Sequence, residues 1–207
     1  PAGLIGGAIE QGVSVSKDGD EALIRIKSLQ KRGEHGNQLY YLPNQEVPFS
    51  GKAVDYWPGG KLMAEIHYKD GKMDGPRSHC YKSGQKQCEI NYKAGKRDGL
   101  LLTWYENGQR RREGRSKDGR CNGMWICWYE NGQKSSVTNY LEGCMGSAIV
   151  WTPDGERCPV TDVTNGDGLL VIYKQDGTEL IRVNHKDGKD AGWKYDASMG
   201  ATSKVKV

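Results

Sequence analysis

The sequence predicts an all-β fold, an elongated single-layer antiparallel β-meander of tandem β-hairpins about 24 residues long. Three observations carry this. Glycines recur at Gly51, Gly75, Gly99, Gly123, Gly146, Gly168 and Gly192, spaced 24, 24, 24, 23, 22 and 24 residues apart. Two further glycines stand at fixed offsets within each repeat, nine residues in (Gly60, Gly84, Gly108, Gly132, Gly155, Gly177) and twenty residues in (Gly71, Gly95, Gly119, Gly143, Gly166, Gly188). Between them, apolar and polar residues alternate with the period of two that belongs to a strand.

The turn before each ninth-position glycine reads Trp57-Pro58-Gly59-Gly60, Tyr105-Glu106-Asn107-Gly108, Tyr129-Glu130-Asn131-Gly132, Thr152-Pro153-Asp154-Gly155 or Lys174-Gln175-Asp176-Gly177. Pro58 and Pro153 cannot take the positive φ that a two-residue type I′ turn demands. A three-residue loop, a type I turn closed by a left-handed glycine bulge, accepts Pro, Asn or Asp, and Gly in that order.

This loop makes odd-numbered offsets of both strands share a face. The expected packed face carries Val54, Ser78, Leu102, Ile126, Ile149 and Val171 at the third offset and Tyr56, Cys80, Trp104, Trp128, Trp151 and Tyr173 at the fifth. Ile66, Ile90, Val183, Tyr68, Tyr92 and Tyr140 join it from the second strand. The opposite, wet face carries an aromatic row, Trp57, Tyr81, Tyr105 and Tyr129, among Gln, Glu, Asn and Arg side chains. The third repeat departs from this pattern. Arg110, Arg112, Gly114 and Ser116 stand there in place of the first repeat's Leu62, Ala64, Ile66 and Tyr68, which implies an unsealed face or a bulge that shifts the register.

Two stretches read WYENGQ without a change, Trp104 to Gln109 and Trp128 to Gln133, and two others read HYKDGKMDG, His67 to Gly75, and NYKAGKRDG, Asn91 to Gly99. With the lead-in from Tyr40 to Val54, these resemble the bacterial MORN repeat variant family over about residues 40 to 192. The resemblance implies a non-enzymatic binding array. Many such arrays are labelled as the antitoxin component of a toxin–antitoxin system, which makes a toxin one candidate partner.

The chain divides into an N-terminal segment, 1–37, the repeat array, 38–194, and a C-terminal tail, 195–207, expected to fray. Within the first segment, Glu21 to Leu29 alternates as a strand able to cover the edge of the first hairpin, and Pro1 to Ile9 is apolar but far too short to span a bilayer. A chain that opens on Pro rather than Met implies the removal of an upstream piece, by processing or otherwise. At 36% hydrophobic residues with a single Phe and 29 Gly, the composition suits a sheet with one wetted face.

Residues 51–140 hold 17 Lys and Arg against 10 Asp and Glu, the flanking stretches 5 against 6 and 8 against 10. The basic middle peaks at Arg110-Arg111-Arg112 and Arg115. It would favour an acidic protein, an anionic lipid surface or nucleic acid, the last two weakened by the interspersed carboxylates. Six cysteines, Cys80, Cys88, Cys121, Cys127, Cys144 and Cys158, fall at offsets that place no two opposite each other in the hairpins. Free thiols favour the cytoplasm, while a removed signal would make the chain secreted or periplasmic. Neither a metal-ligand spacing nor a phosphate-cradling glycine loop opening a helix is present, so no metal or cofactor is expected. His67 and His79 with Cys88 or Glu89 lack the third, orienting group that a catalytic site needs.

The functional reading is a protein-binding module that uses Trp57, Tyr81, Tyr105, Tyr129, Arg111 and Arg115, residue types common in binding hot spots. Cross-strand shielding of the sheet by the same rings is the competing account. Self-association through free sheet edges in an envelope or extracellular assembly, and anionic binding by the basic repeats, are the alternatives. The turn assignment has a direct test at Gly108, expected at positive φ. Gly108→Val should cost about 1–3 kcal/mol in urea unfolding and Gly108→Asn much less, because β-branched residues are excluded from the left-handed region.

Overall fold

The computed structural model describes residues 13–14 and 23–190, which form two compact units divided after Lys96. Both are all-β meanders. The expected roles of Pro1 to Ile9 and of the 195–207 tail fall outside the described residues.

In the N-terminal unit, strands β1 (Val13–Ser14), β2 (Leu23–Arg25), β5 (Gly51–Tyr56), β6 (Leu62–Lys69), β7 (Lys72–Cys80) and β8 (Lys86–Lys93) are hydrogen-bonded in that order. A separate hairpin, β3 (Gln30–Arg32) with β4 (Leu39–Tyr41), precedes the repeats. The expected edge cover is the short β2, which pairs parallel to β5 through Ile24 and Ala53. It is pinned by Arg25 Nε donating to the buried Asp55 carboxylate at 3.1 Å. Phe49, Tyr40 and Leu42 pack with Ile24 over Ala53, Ile66 and Tyr68, giving the first repeat a small core.

In the C-terminal unit, β9 (Lys96–Trp104), β10 (Arg110–Lys117), β11 (Arg120–Trp128), β12 (Lys134–Leu141) and β13 (Cys144–Val150) follow each other in one sheet. A three-stranded sheet follows, β14 (Gly168–Tyr173), β15 (Glu179–Lys186) and β16 (Lys189–Asp190). Val150, Cys158, Val163, Leu170, Val171 and Val183 form its core. The fifth repeat has no returning strand, contrary to the uniform hairpin pattern. Pro159 has no N–H to offer a ladder there, and the segment is held piecemeal instead. Cys158 N–H donates to Val150 O at 2.8 Å, Ala148 N–H to Val163 O at 3.2 Å, and Val171 N–H to the Thr161 hydroxyl at 3.1 Å.

The ninth-position turns are the expected bulged loops: Gly60, Gly84, Gly108, Gly132, Gly155 and Gly177 have φ of 83 to 96°. The turns at the other ends are type I′, with positive φ at both central residues, as in Asp70-Gly71 (48° and 74°) and Asp118-Gly119 (50° and 87°). Ala94 and Glu142 take the same conformation at 48° and 50° without an Asx side chain or a glycine's freedom.

A second bulge overturns the expected faces. Tyr56 pairs with Leu62 but Asp55 with Ala64, so Met63 is an extra residue. Gln87, Arg111, Ser135 and Leu180 are extra at the same offset, twelve, in later repeats. One inserted residue exchanges every side chain beyond it between faces. Ile66 therefore lies opposite Ala53 and Arg77, and Ile90 opposite Arg77, so the packed face uses offset two. The residues expected there at offset three turn to the other side, where Leu102 and Ile126 are half-buried and Ile149 is 37% exposed. Val54 and Val171 are buried nonetheless.

The departure in the third repeat is a size exchange with the fourth. A Cβ on Gly114 would lie 2.2 Å from the Trp125 indole, whose Nε1–H donates to Arg115 O at 2.9 Å. The largest side chain at offset two thus covers the smallest residue at offset fifteen. Gly114→Ala should cost about 1–3 kcal/mol by overpacking, and Trp125→Ala about 3–5 kcal/mol. In Gly114→Ala/Trp125→Leu the alanine methyl should cost at least 1 kcal/mol less than it does beside Trp125. Urea unfolding of the two single variants and the double variant checks this, and additive costs would contradict the exchange.

Candidate functional site

Each aromatic of the predicted row opens a bulged turn. Trp57, Tyr81, Tyr105 and Tyr129 donate their N–H groups to the carbonyls of Lys61, Gln85, Gln109 and Gln133, each at 2.8 Å. Side chains of the row also reach one repeat onward. Trp57 Nε1–H donates to Cys80 O at 3.1 Å, the Tyr105 hydroxyl to Trp128 O at 2.7 Å, and the Tyr129 hydroxyl to Trp151 O at 2.7 Å. Beside them Asn107 donates to Glu130 O at 3.0 Å and Asn131 to Pro153 O at 2.9 Å, while their own carbonyls accept the turn N–H two residues on.

The aromatic positions therefore differ in what they leave for a partner. In the N-terminal unit Trp57 and Tyr81 are half-buried, and Lys82 Nζ sits 5.6 Å from the Trp57 ring. In the C-terminal unit Tyr105 is half-buried under the Arg111 guanidinium, 5.6 Å from its ring, and Tyr129 is only 3% exposed. Burial pushes the Tyr129 hydroxyl up to about 12, with Tyr173 and Tyr105 adding to the shift. Burial also raises Tyr105, opposed by Arg111. Arg111 reaches the Tyr105 ring as the extra residue of the offset-twelve bulge, a placement that its position in an ordinary strand would not give. Arg115 is exposed, with its carbonyl taken by Trp125.

The feature that sequence reasoning misplaced is an apolar row on the open face of this unit. Leu102, Glu113, Ile126, Val137 and Ile149 lie opposite one another in succession across β9 to β13. Five strands at about 4.8 Å make this row roughly 19 Å long. Met124, on the same face as Ile126, is 61% exposed, and Arg115 pairs with Leu100 two positions along β10 from Glu113. Glu113 is itself paired to Arg110 at 3.0 Å. The alternation that would have revealed this row is present in the sequence, but the residueless signature of the second bulge hid which side it faced.

His67 Nε2 meets Glu65 at 3.1 Å, and His79 Nε2 accepts from Arg77 at 3.2 Å. Among the described residues no group of three or more His, Cys, Asp and Glu is placed to hold a metal ion, no disulfide is formed, and no helix is long and apolar enough to cross a membrane.

Comparison with known families places the geometry in a class. The MORN repeat variant model matches residues 50–70 and 97–118, the first repeat and the third, so the chain carries MORN-variant repeats. No curated protein matches the chain. MORN repeats are non-catalytic modules that in general bind proteins or membranes.

The Tyr129 contact sets a pH dependence. Its folded-state pKa is raised, so the stability tied to it is whole below pH 10, the ordinary tyrosine value, and is lost as pH rises to about 12. Tyr129→Phe should cost about 1–2 kcal/mol at neutral pH, because Trp151 O loses its donor. It should also flatten the decline in urea midpoint between pH 10 and 12. A variant with an unchanged alkaline slope would contradict the assignment.

Proposed function

We propose that the chain is a non-enzymatic binding module whose C-terminal unit takes a protein partner on its open sheet face. The apolar row carries this reading: Leu102, Ile126 and Val137, half-buried, and Ile149, 37% exposed, form a stripe on the face that a single-layer sheet ordinarily fills with polar side chains. Arg111, stacked on Tyr105, and the exposed Arg115 supply cations beside it, the residue types that anchor protein interfaces. In the same unit Tyr129 contributes by holding its turn in line through its bond to Trp151 O. An apolar stripe bordered by arginines suits a partner with an apolar ridge and acidic flanks. A toxin neutralised by this contact is the specific partner that the family resemblance suggests.

The alternative of an anionic surface rests on like charges held opposite each other at the type I′ turns, Lys69 with Lys72 and Lys117 with Arg120, all exposed. Such pairs cost stability in a sheet unless something neutralises them.

Co-purification from the native host with the intact chain and with an Ile126→Asp/Ile149→Asp variant, read by mass spectrometry, tests the leading reading. A protein recovered with the intact chain and reduced at least tenfold with the variant is expected. Recovery unaffected by the variant, or a partner displaced by salt alone, would contradict it.

A further inference from the structure

Offset two of the repeat is a packed position, filled by Ala53, Leu101, Trp125, Ala148 and Leu170 in other repeats, all buried. In the second repeat it is Arg77. A cation has replaced an apolar side chain directly between Ile66 on β6 and Ile90 on β8. Bringing a guanidinium into such a setting is costly unless a carboxylate compensates it. No ion pair to Arg77 exists among the described residues, and its Nε is buried without a hydrogen-bond partner.

The single polar contact of the half-buried guanidinium deepens the deficit. Arg77 Nη2–H donates to His79 Nε2 at 3.2 Å, which requires a neutral imidazole. Burial and the Arg77 charge both hold the His79 pKa below its ordinary value. Gly75, two residues before Arg77, has no side chain and lies opposite Tyr92 on β8. The arrangement is a positive group flanked by isoleucines, with hydrogen-bonding capacity left over and no acid of its own.

We propose that Arg77 is the seat of an oxyanion site in the N-terminal unit, and that it takes a carboxylate, such as a glutamate or a chain terminus presented by a bound polypeptide. The planar guanidinium matches a planar carboxylate through two parallel N–H···O bonds, a match that neither a spherical halide nor an ammonium host gives. This site is separate from the apolar row of the C-terminal unit and stands whether or not that row binds a protein.

Acetate is the probe, and the His79 imidazole is the reporter. An anion on Arg77 cancels the charge that depresses His79, so the His79 pKa followed by NMR should rise saturably with acetate in the intact chain, at millimolar half-saturation. Sodium chloride at equal ionic strength should leave it nearly fixed. Arg77→Met should raise the His79 pKa by itself and abolish the acetate response. Arg77→Lys, which keeps the charge but loses the fork, guards against a methionine variant that fails to fold and should weaken acetate roughly tenfold. An acetate response equal to that of chloride, an undiminished response in Arg77→Met or Arg77→Lys, or a response to inorganic phosphate without one to acetate would each overturn the assignment.

Discussion

Each repeat is tied to its neighbour by the N–H group of a left-handed turn residue. Gly71 donates to Phe49 O, Gly95 to Met73 O, Gly119 to Arg97 O, Gly143 to Cys121 O and Gly188 to Gly166 O, at 2.8 to 2.9 Å. A lone two-stranded hairpin is marginal in water. These bonds, with the ladder hydrogen bonds, turn successive hairpins into a sheet. The preceding residue in several of these turns is held as well: Asp74, Asp98 and Asp167 accept the N–H groups of Ala94, Asp118 and Asp187, and Ser50 accepts that of Asp70. The Asp-Gly that ends one repeat is therefore the receptor for the turn that ends the next. At the opposite end Tyr105, Tyr129, Asn107 and Asn131 perform the same task with side chains.

That constraint explains which parts of the molecule could be read in the sequence. Turn chemistry is local, so Pro58, Asn107 and their glycines identify the bulged loops, and the alternation of Glu21 to Leu29 identifies an edge strand, of which Leu23–Arg25 is the paired part. The side of the sheet is a different matter. It depends on one additional residue at offset twelve, where Met63, Gln87, Arg111, Ser135 and Leu180 share neither size, charge nor branching. A backbone bulge without a side-chain signature cannot be seen by periodicity, yet it moves Leu102 and Ile126 from the expected core to the open face. Pro159 is a local signal against a strand in the fifth repeat, and the glycine spacing alone does not show it. Trp125 and Gly114 each look anomalous alone, and only their contact shows that they compensate.

The same register shift governs the functional reading. Had offsets two and three kept the expected faces, Arg77 would point to solvent as one more surface charge, and the stripe from Leu102 to Ile149 would be core. With the shift, a cation is set among isoleucines in the N-terminal unit, and an apolar stripe faces outward beside Arg111 and Arg115 in the C-terminal unit. Both are departures from what each face ordinarily carries, and the aromatic row between turns holds the backbone that displays them. Tyr129 is buried too far to serve as a contact of first resort, while Tyr105 and Arg111 are half-buried together.

Native-state amide hydrogen exchange on the intact chain measures the repeat-to-repeat bonds directly. The account predicts that the N–H groups of Gly71, Gly95, Gly119 and Gly143 exchange as slowly as the mid-strand amides of Ile66 and Ile90, because each is donated to the preceding repeat. Turn amides that exchange at the rate of an unstructured chain while mid-strand amides stay protected would contradict it, and would show that the hairpins are held together by their strands alone.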